Sequence, residues 1–273
     1  MTSAEIKLTE ETGNPVLALV RMAAPEMGLW ERAATLLERD FRLAFVELAP
    51  AVLLDPAEAD PLARYADDLC ASLAERGIDQ FHLYGWTGGA QVALKCALRH
   101  AGAVRTVVST GGLFEPAQSP MMTLAADVVR LVLREASLEF YTRYWIASGL
   151  TPDFYDRNTE LIDTLVRRRL EADEGRLDGE RVIHWIDAQL ATTIAREEAN
   201  RIGCPVLLLE PGFGVWPPLS VAHNLAAELP DAELAVVEGL GAMMLFEDPD
   251  AALAPAFDFW RRNDATGVRD ANP

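Results

Sequence analysis

The residues of this 273-residue chain that could do chemistry gather around one hydroxyl. The run Phe81-His82-Leu83-Tyr84-Gly85-Trp86-Thr87-Gly88-Gly89-Ala90 reads as a strand, a Gly-x-Thr-x-Gly turn and the start of a helix. A hydroxyl on such a turn is placed to attack a carbonyl or to hold a ligand, and glycines on either side let neighbouring backbone come close. Acyl transfer needs two further groups: a base to take the hydroxyl proton and an acid to orient the base. Without a base, the Thr87 hydroxyl stays protonated at neutral pH. Threonine is also β-branched and fits badly where φ is positive, so Thr87 is expected in a relaxed turn.

The elements that must position this hydroxyl alternate along the chain. Val16-Leu17-Ala18-Leu19-Val20 is a continuous apolar run, the mark of a strand covered on both faces. Further strands are expected over Phe41–Leu48, Phe81–Tyr84, Val104–Ser109, Pro205–Leu209 and Glu233–Val237. Between them, helical spacing runs over Leu29–Arg39, Pro61–Arg76, Gly88–His100, Leu219–Leu229 and Pro249–Arg262. This order predicts an α/β fold: a mostly parallel sheet with helices on both faces and right-handed crossovers. From Pro116 to Ile202 only helical patterns appear: Met121–Ser148, open to a break, then Glu160–Ala172 and Arg181–Asn200. The reading is a core of residues 1–115 and 203–273 with an inserted all-helical cap over 116–202.

The Gly85-Trp86-Thr87-Gly88-Gly89 turn resembles the nucleophile elbow of the α/β-hydrolase family, in particular its small bacterial esterases, lactonases and C–C hydrolases with a helical cap. The resemblance also rests on the strand order, on Cys204-Pro205-Val206-Leu207-Leu208-Leu209, on Pro217-Pro218, and on Gly239-Leu240-Gly241 before Glu247-Asp248-Pro249. It implies an α/β-hydrolase sheet, with Thr87 in the nucleophile position and the N–H groups of Gly88 and Ala23 in the place of an oxyanion hole. It also shows what is replaced. The His-Gly pair after the first central strand is matched by Arg21 and Met22. The Asp-x-Arg-Gly-x-Gly loop is matched by Glu47-Leu48-Ala49-Pro50-Ala51. The place of the triad acid falls on Phe213 or Gly214, and that of the triad histidine on Ala242, followed by Met243 and Met244.

No other residue obviously takes over these roles. His82 lies inside a strand, His100 ends a helix, and His223 follows Pro218. His184, in the cap beside Trp185, is the one histidine expected to be able to swing toward the sheet. Glu26, Glu115 and Glu210 are spare carboxylates near strand ends, with Glu210 too early for the usual acid position. Met22, Trp86, Phe213, Trp216, Ala242, Met243 and Met244 are expected at the C-terminal edge of the sheet, where open α/β sheets bind ligands. Tyr144, Trp145 and His184 are expected above them in the cap. Methionines and aromatics make an adaptable apolar surface, so either the site has filled in as core or it holds a small apolar molecule.

Two further readings stay open: an ester, lactone or thioester hydrolase using Thr87, and lyase or cyclase chemistry in the same pocket. No metal-ligand spacing, P-loop or dinucleotide fingerprint occurs, so no cofactor or metal is expected. A net charge of −18 speaks against nucleic acid and anionic membranes as partners. A homodimer is left open. Cys70, Cys96 and Cys204 stand far apart in sequence, with no CxxC pair, and read as buried free thiols. The Met1-Thr2-Ser3-Ala4-Glu5 start has no signal-peptide pattern, and a cytoplasmic protein is expected.

Overall fold

Side chains alternate across a strand, and both faces of the central strands are apolar, so this sheet must be covered on two sides. The computed structural model describes residues 4–21, 29–48, 60–112, 120–172, 179–191, 194–214 and 219–264. Among these residues, β1 (Ala4–Leu8), β2 (Val16–Arg21), β3 (Arg42–Leu48), β4 (Phe81–Trp86), β5 (Val104–Thr110), β6 (Val206–Pro211) and β7 (Ala232–Val237) form one sheet. Its order is β1-β3-β2-β4-β5-β6-β7. β1 runs antiparallel to β3, and every other pairing is parallel. β4, which ends one residue before Thr87, lies in the middle of the sheet.

One layer packs on each face. Val16, Ala18 and Val20 of β2 turn toward α2 (Pro61–Ala74), α3 (Gly88–Arg99) and α10 (Leu219–Glu228). Leu17 and Leu19 turn the other way, toward α1 (Leu29–Leu37) and α12 (Pro249–Asp264). α2 begins where Asp60 accepts the Ala63 N–H at 3.0 Å and a proline follows at the first helical position. The same Asp60 carboxylate takes the buried Lys95 ammonium of α3 at 2.5 Å, tying the two helices together. Cys70 and Cys96 also meet across these helices. Burial, and then the neighbouring Cys70 thiol, push the Cys96 thiol well above its ordinary range. All three cysteines are free and buried.

Between β5 and β6 lie α4 (Pro120–Glu135), α5 (Leu138–Gly149), α6 (Pro152–Arg157), α7 (Thr159–Ala172), α8 (Gly179–Ala191) and α9 (Arg196–Ala199). The long helical pattern of Met121–Ser148 divides at Ser137, whose hydroxyl caps α5 by accepting the Phe140 N–H at 3.1 Å. Ile146 and Leu150 of this insert, with Ile162, Leu165 and Val166 of α7, share a core with Met243 through Phe246 and with α1 and α12. Phe154 of α6 meets Phe246 edge to face, ring centres 5.7 Å apart. Among the described residues, no helix is long and apolar enough to cross a membrane.

Candidate functional site

The elbow is a backbone construction. Gly85 and Gly89 leave no room for a side chain: a Cβ on Gly85 would lie 2.3 Å from the Gly89 carbonyl oxygen, and one on Gly89 would lie 2.2 Å from that of Val20. β4, the first turn of α3 and β2 therefore touch backbone to backbone. Their approach forces the residue between them out of ordinary conformations. Thr87 has φ 50° and ψ −115°, and it is the only non-glycine residue with positive φ among those described. The expectation of a relaxed turn is corrected here. The glycine contacts on either side over-determine the bend, and Thr87 carries a strain of roughly 1–3 kcal/mol. Its N–H donates to the Thr110 carbonyl at 2.7 Å, and its own carbonyl accepts from Ala90 and Gln91 at 3.0 and 3.2 Å. Gly88 is the buried first residue of α3, at the end of the helix where N–H groups lack intrahelical partners.

The Thr110–Gly111 peptide faces both ways. Its carbonyl holds the elbow through Thr87, and its N–H donates to the Glu210 carboxyl at 3.0 Å. Glu210 sits near the end of β6 and is only 3 % exposed. Burial pushes its carboxyl up to about 7, against the opposing pull of the Gly111 N–H. Tyr84, fully buried in β4, has its hydroxyl 3.4 Å from the Thr110 hydroxyl; burial raises this phenol, with the nearby Glu210 charge adding to the shift.

The loop after β7 is built differently. The Met243 side chain is fully buried, and its N–H donates to the Gly149 carbonyl at 2.7 Å. Gly149 is packed so tightly that a Cβ there would meet the Met243 side chain at 2.8 Å. Glu247, the last residue of α11 (Met244–Glu247), accepts from the N–H of Gly241, the N–H of Thr151 and the Thr151 hydroxyl at 3.0, 3.0 and 2.7 Å. These bonds fasten the α5–α6 corner of the insert onto residues 241–247. Ala242 lies between them, half-buried.

Of the residues singled out from sequence, Trp86 and Trp145 are brought together across core and insert, with ring centres 5.5 Å apart and both half-buried. Tyr144 and His184, expected over the sheet, present their side chains to solvent instead. Helical geometry gives the reason. Tyr141 and Trp145 lie one turn apart on the inner side of α5, so Phe140 and Tyr144 share the outer side. On α8, Val182, Ile183 and Ala188 point inward, leaving His184 and Asp187 outside. Phe213 is also exposed, its N–H donating to the Leu240 carbonyl at 3.0 Å. His82 bonds the Thr106 hydroxyl inside the sheet, His100 pairs with Asp67, and His223 is exposed on α10. Met22, Ala23, Glu26, Glu115 and Trp216 lie outside the described residues. Sequence reasoning passed over Glu247, Gly149 and Thr151, whose one signal is Glu247 next to Asp248-Pro249.

A central parallel sheet, a strained residue between paired glycines after a middle strand, and helices inserted before the next-to-last strand together define the α/β-hydrolase fold. The chain is an α/β-hydrolase-fold protein. No family model matches it. It is 24 % identical over 260 residues to the pimeloyl-acyl-carrier-protein methyl ester esterase of Nitrosomonas europaea, covering 88 % of this chain and 94 % of that one. It is 25 % identical over 227 residues to the enzyme of the same name from Vibrio atlanticus, covering 80 % of this chain and 84 % of that one. In structure it resembles an α/β-hydrolase enzyme from a Medee basin deep-sea metagenome library, with TM-score 0.79, 16 % identity, and coverage of 99 % of this chain and 96 % of that one. It also resembles the enol-lactonase of Burkholderia xenovorans LB400, with TM-score 0.73, 15 % identity, and coverage of 94 % and 95 %.

Proposed function

We propose that this protein uses the α/β-hydrolase fold to bind a small apolar molecule between core and cap, with hydrolysis absent or much weakened. The observation that carries this reading is the loop after β7. At the place where the family resemblance expects the base, Ala242 offers a methyl group, and Met243 beside it is spent on packing against Gly149. A general base must come within hydrogen-bond reach of the proton that it removes. The Trp86–Trp145 contact supplies an apolar junction beside Thr87, whose hydroxyl serves as a polar contact for the ligand.

The test is turnover of a panel of activated esters and thioesters by the wild type and by Thr87→Ala. The expected result is the same low rate for both, within about twofold. Robust turnover that disappears with Thr87→Ala would overturn the proposal. It would favour the second reading, an ester or thioester hydrolase with Thr87 as nucleophile. That reading draws on the retained strain at Thr87 and on the esterase names of the relatives. Its own signature is a fluorophosphonate adduct on Thr87, located by mass spectrometry.

A further inference from the structure

Glu210 is the one buried carboxyl next to the elbow, and neither the packing nor the proposed function explains it. It closes a run of four buried apolar residues in β6, at a place where a leucine would continue the pattern. A buried carboxyl costs stability unless it is neutral or well hydrogen bonded. Here its described partner is the Gly111 N–H, and the peptide that supplies this N–H is the one whose carbonyl receives the Thr87 N–H. Elbow and carboxyl are thus joined through a single peptide group.

We infer that Glu210 is a positioning residue for the elbow: its ionisation tightens the bond to Gly111 and, through the Thr110 carbonyl, the bond that holds the Thr87 amide. The physical basis is polarisation along a hydrogen-bond chain. A charged acceptor bonds an N–H about twice as strongly as a neutral one, and the donor peptide's carbonyl then becomes a better acceptor in turn. Burial places the carboxyl's titration at about 7, so both states are populated near neutral pH. The effect concerns the elbow backbone alone, and it stands or falls whether or not a ligand binds there.

Other ionisable groups stand on the elements packed around β6. β4 contributes the Tyr84 phenol and the buried His82 imidazole, bonded to Thr106 of β5, and β5 contributes Arg105 at its far end, bonded to Gln80. α10 carries His223 and Glu228. β7 carries Glu233, ion-paired with Arg262, and Glu238 follows the strand. α12, on the opposite face, carries Asp250, Asp258 and Arg261, the last two paired with each other. α3 adds Lys95, held by Asp60. Of these, His223 is an exposed imidazole on α10, and its replacement serves as the control for that of Glu210.

The experiment follows the amide signals of Gly111 and Thr87 in 15N-labelled protein from about pH 5.5 to about pH 8.5. The expected result is that both amide protons move downfield with one shared midpoint near 7, further at Gly111 than at Thr87. The shared transition should vanish in Glu210→Gln and persist in His223→Gln. Three results would overturn the inference: Gly111 titrating while Thr87 stays still, no titration at either amide, or an unchanged transition in Glu210→Gln. The wild-type titration alone decides between shared and separate behaviour, so the inference is testable even if Glu210→Gln fails to fold.

Discussion

The elbow and the loop after β7 are built differently within one fold. At the elbow, the backbone is tightly constrained: Gly85 and Gly89 admit no side chain, and Thr87 has a positive φ. At the loop, the side chains serve packing, with Met243 buried against Gly149 and Glu247 bonding Thr151. The reason lies in what each region supports. At the elbow β2, β4 and α3 meet backbone to backbone, so the packing of strand and helix depends on it. Ala242 is one half-buried side chain on a loop, and a change there is expected to cost the fold little.

The largest expected effect tests this contrast directly. Gly89→Ala sets a methyl group against the Val20 carbonyl, a clash of backbone with no flexible partner to give way. It should cost about 4 kcal/mol or abolish folding, whereas Ala242→Ser should stay within about 0.5 kcal/mol by urea denaturation. Equal effects would break the comparison.

A smaller effect concerns pH on the elbow side. The Glu210 carboxyl is raised in the folded protein from 4.5 to about 7, so between those values the folded state holds a proton that the unfolded state has lost. Its contribution to stability is therefore complete below the ordinary carboxyl range and is lost as pH rises through about 7. The loss is on the order of 3 kcal/mol, and Glu210→Gln should flatten this part of the profile in denaturation at several pH values. The smallest effect is a gain. Thr87→Gly relieves the strained backbone and should raise stability by about 1 kcal/mol, measured the same way. A loss there would mean that the threonine side chain makes contacts worth more than the strain.

Much of the fold was readable because it rests on periodicity. The apolar run of β2 and the spacing of Leu62, Tyr65, Leu69 and Leu73 each force one kind of element. The site was less readable. That Thr87 occupies the turn follows from glycine spacing, but its strain comes from three elements meeting, which no local pattern records. Glu210 was visible as a carboxyl near a strand end, yet its link to Thr87 runs through a neighbouring strand. Tyr144 and Trp145 are adjacent in sequence, and only the packing of α5 decides which one turns inward. Cys70 and Cys96, remote along the chain, are set side by side by the pairing of α2 with α3.

The bonds from Glu247 to Thr151 and from Met243 to Gly149 rivet one corner of the insert to the sheet's last loop. At α8, among the described residues, the Gln91 side chain reaches the Gln189 carbonyl at 3.3 Å. Among the described bonds between insert and core, the α5–α6 corner is thus the more firmly fastened of the two places.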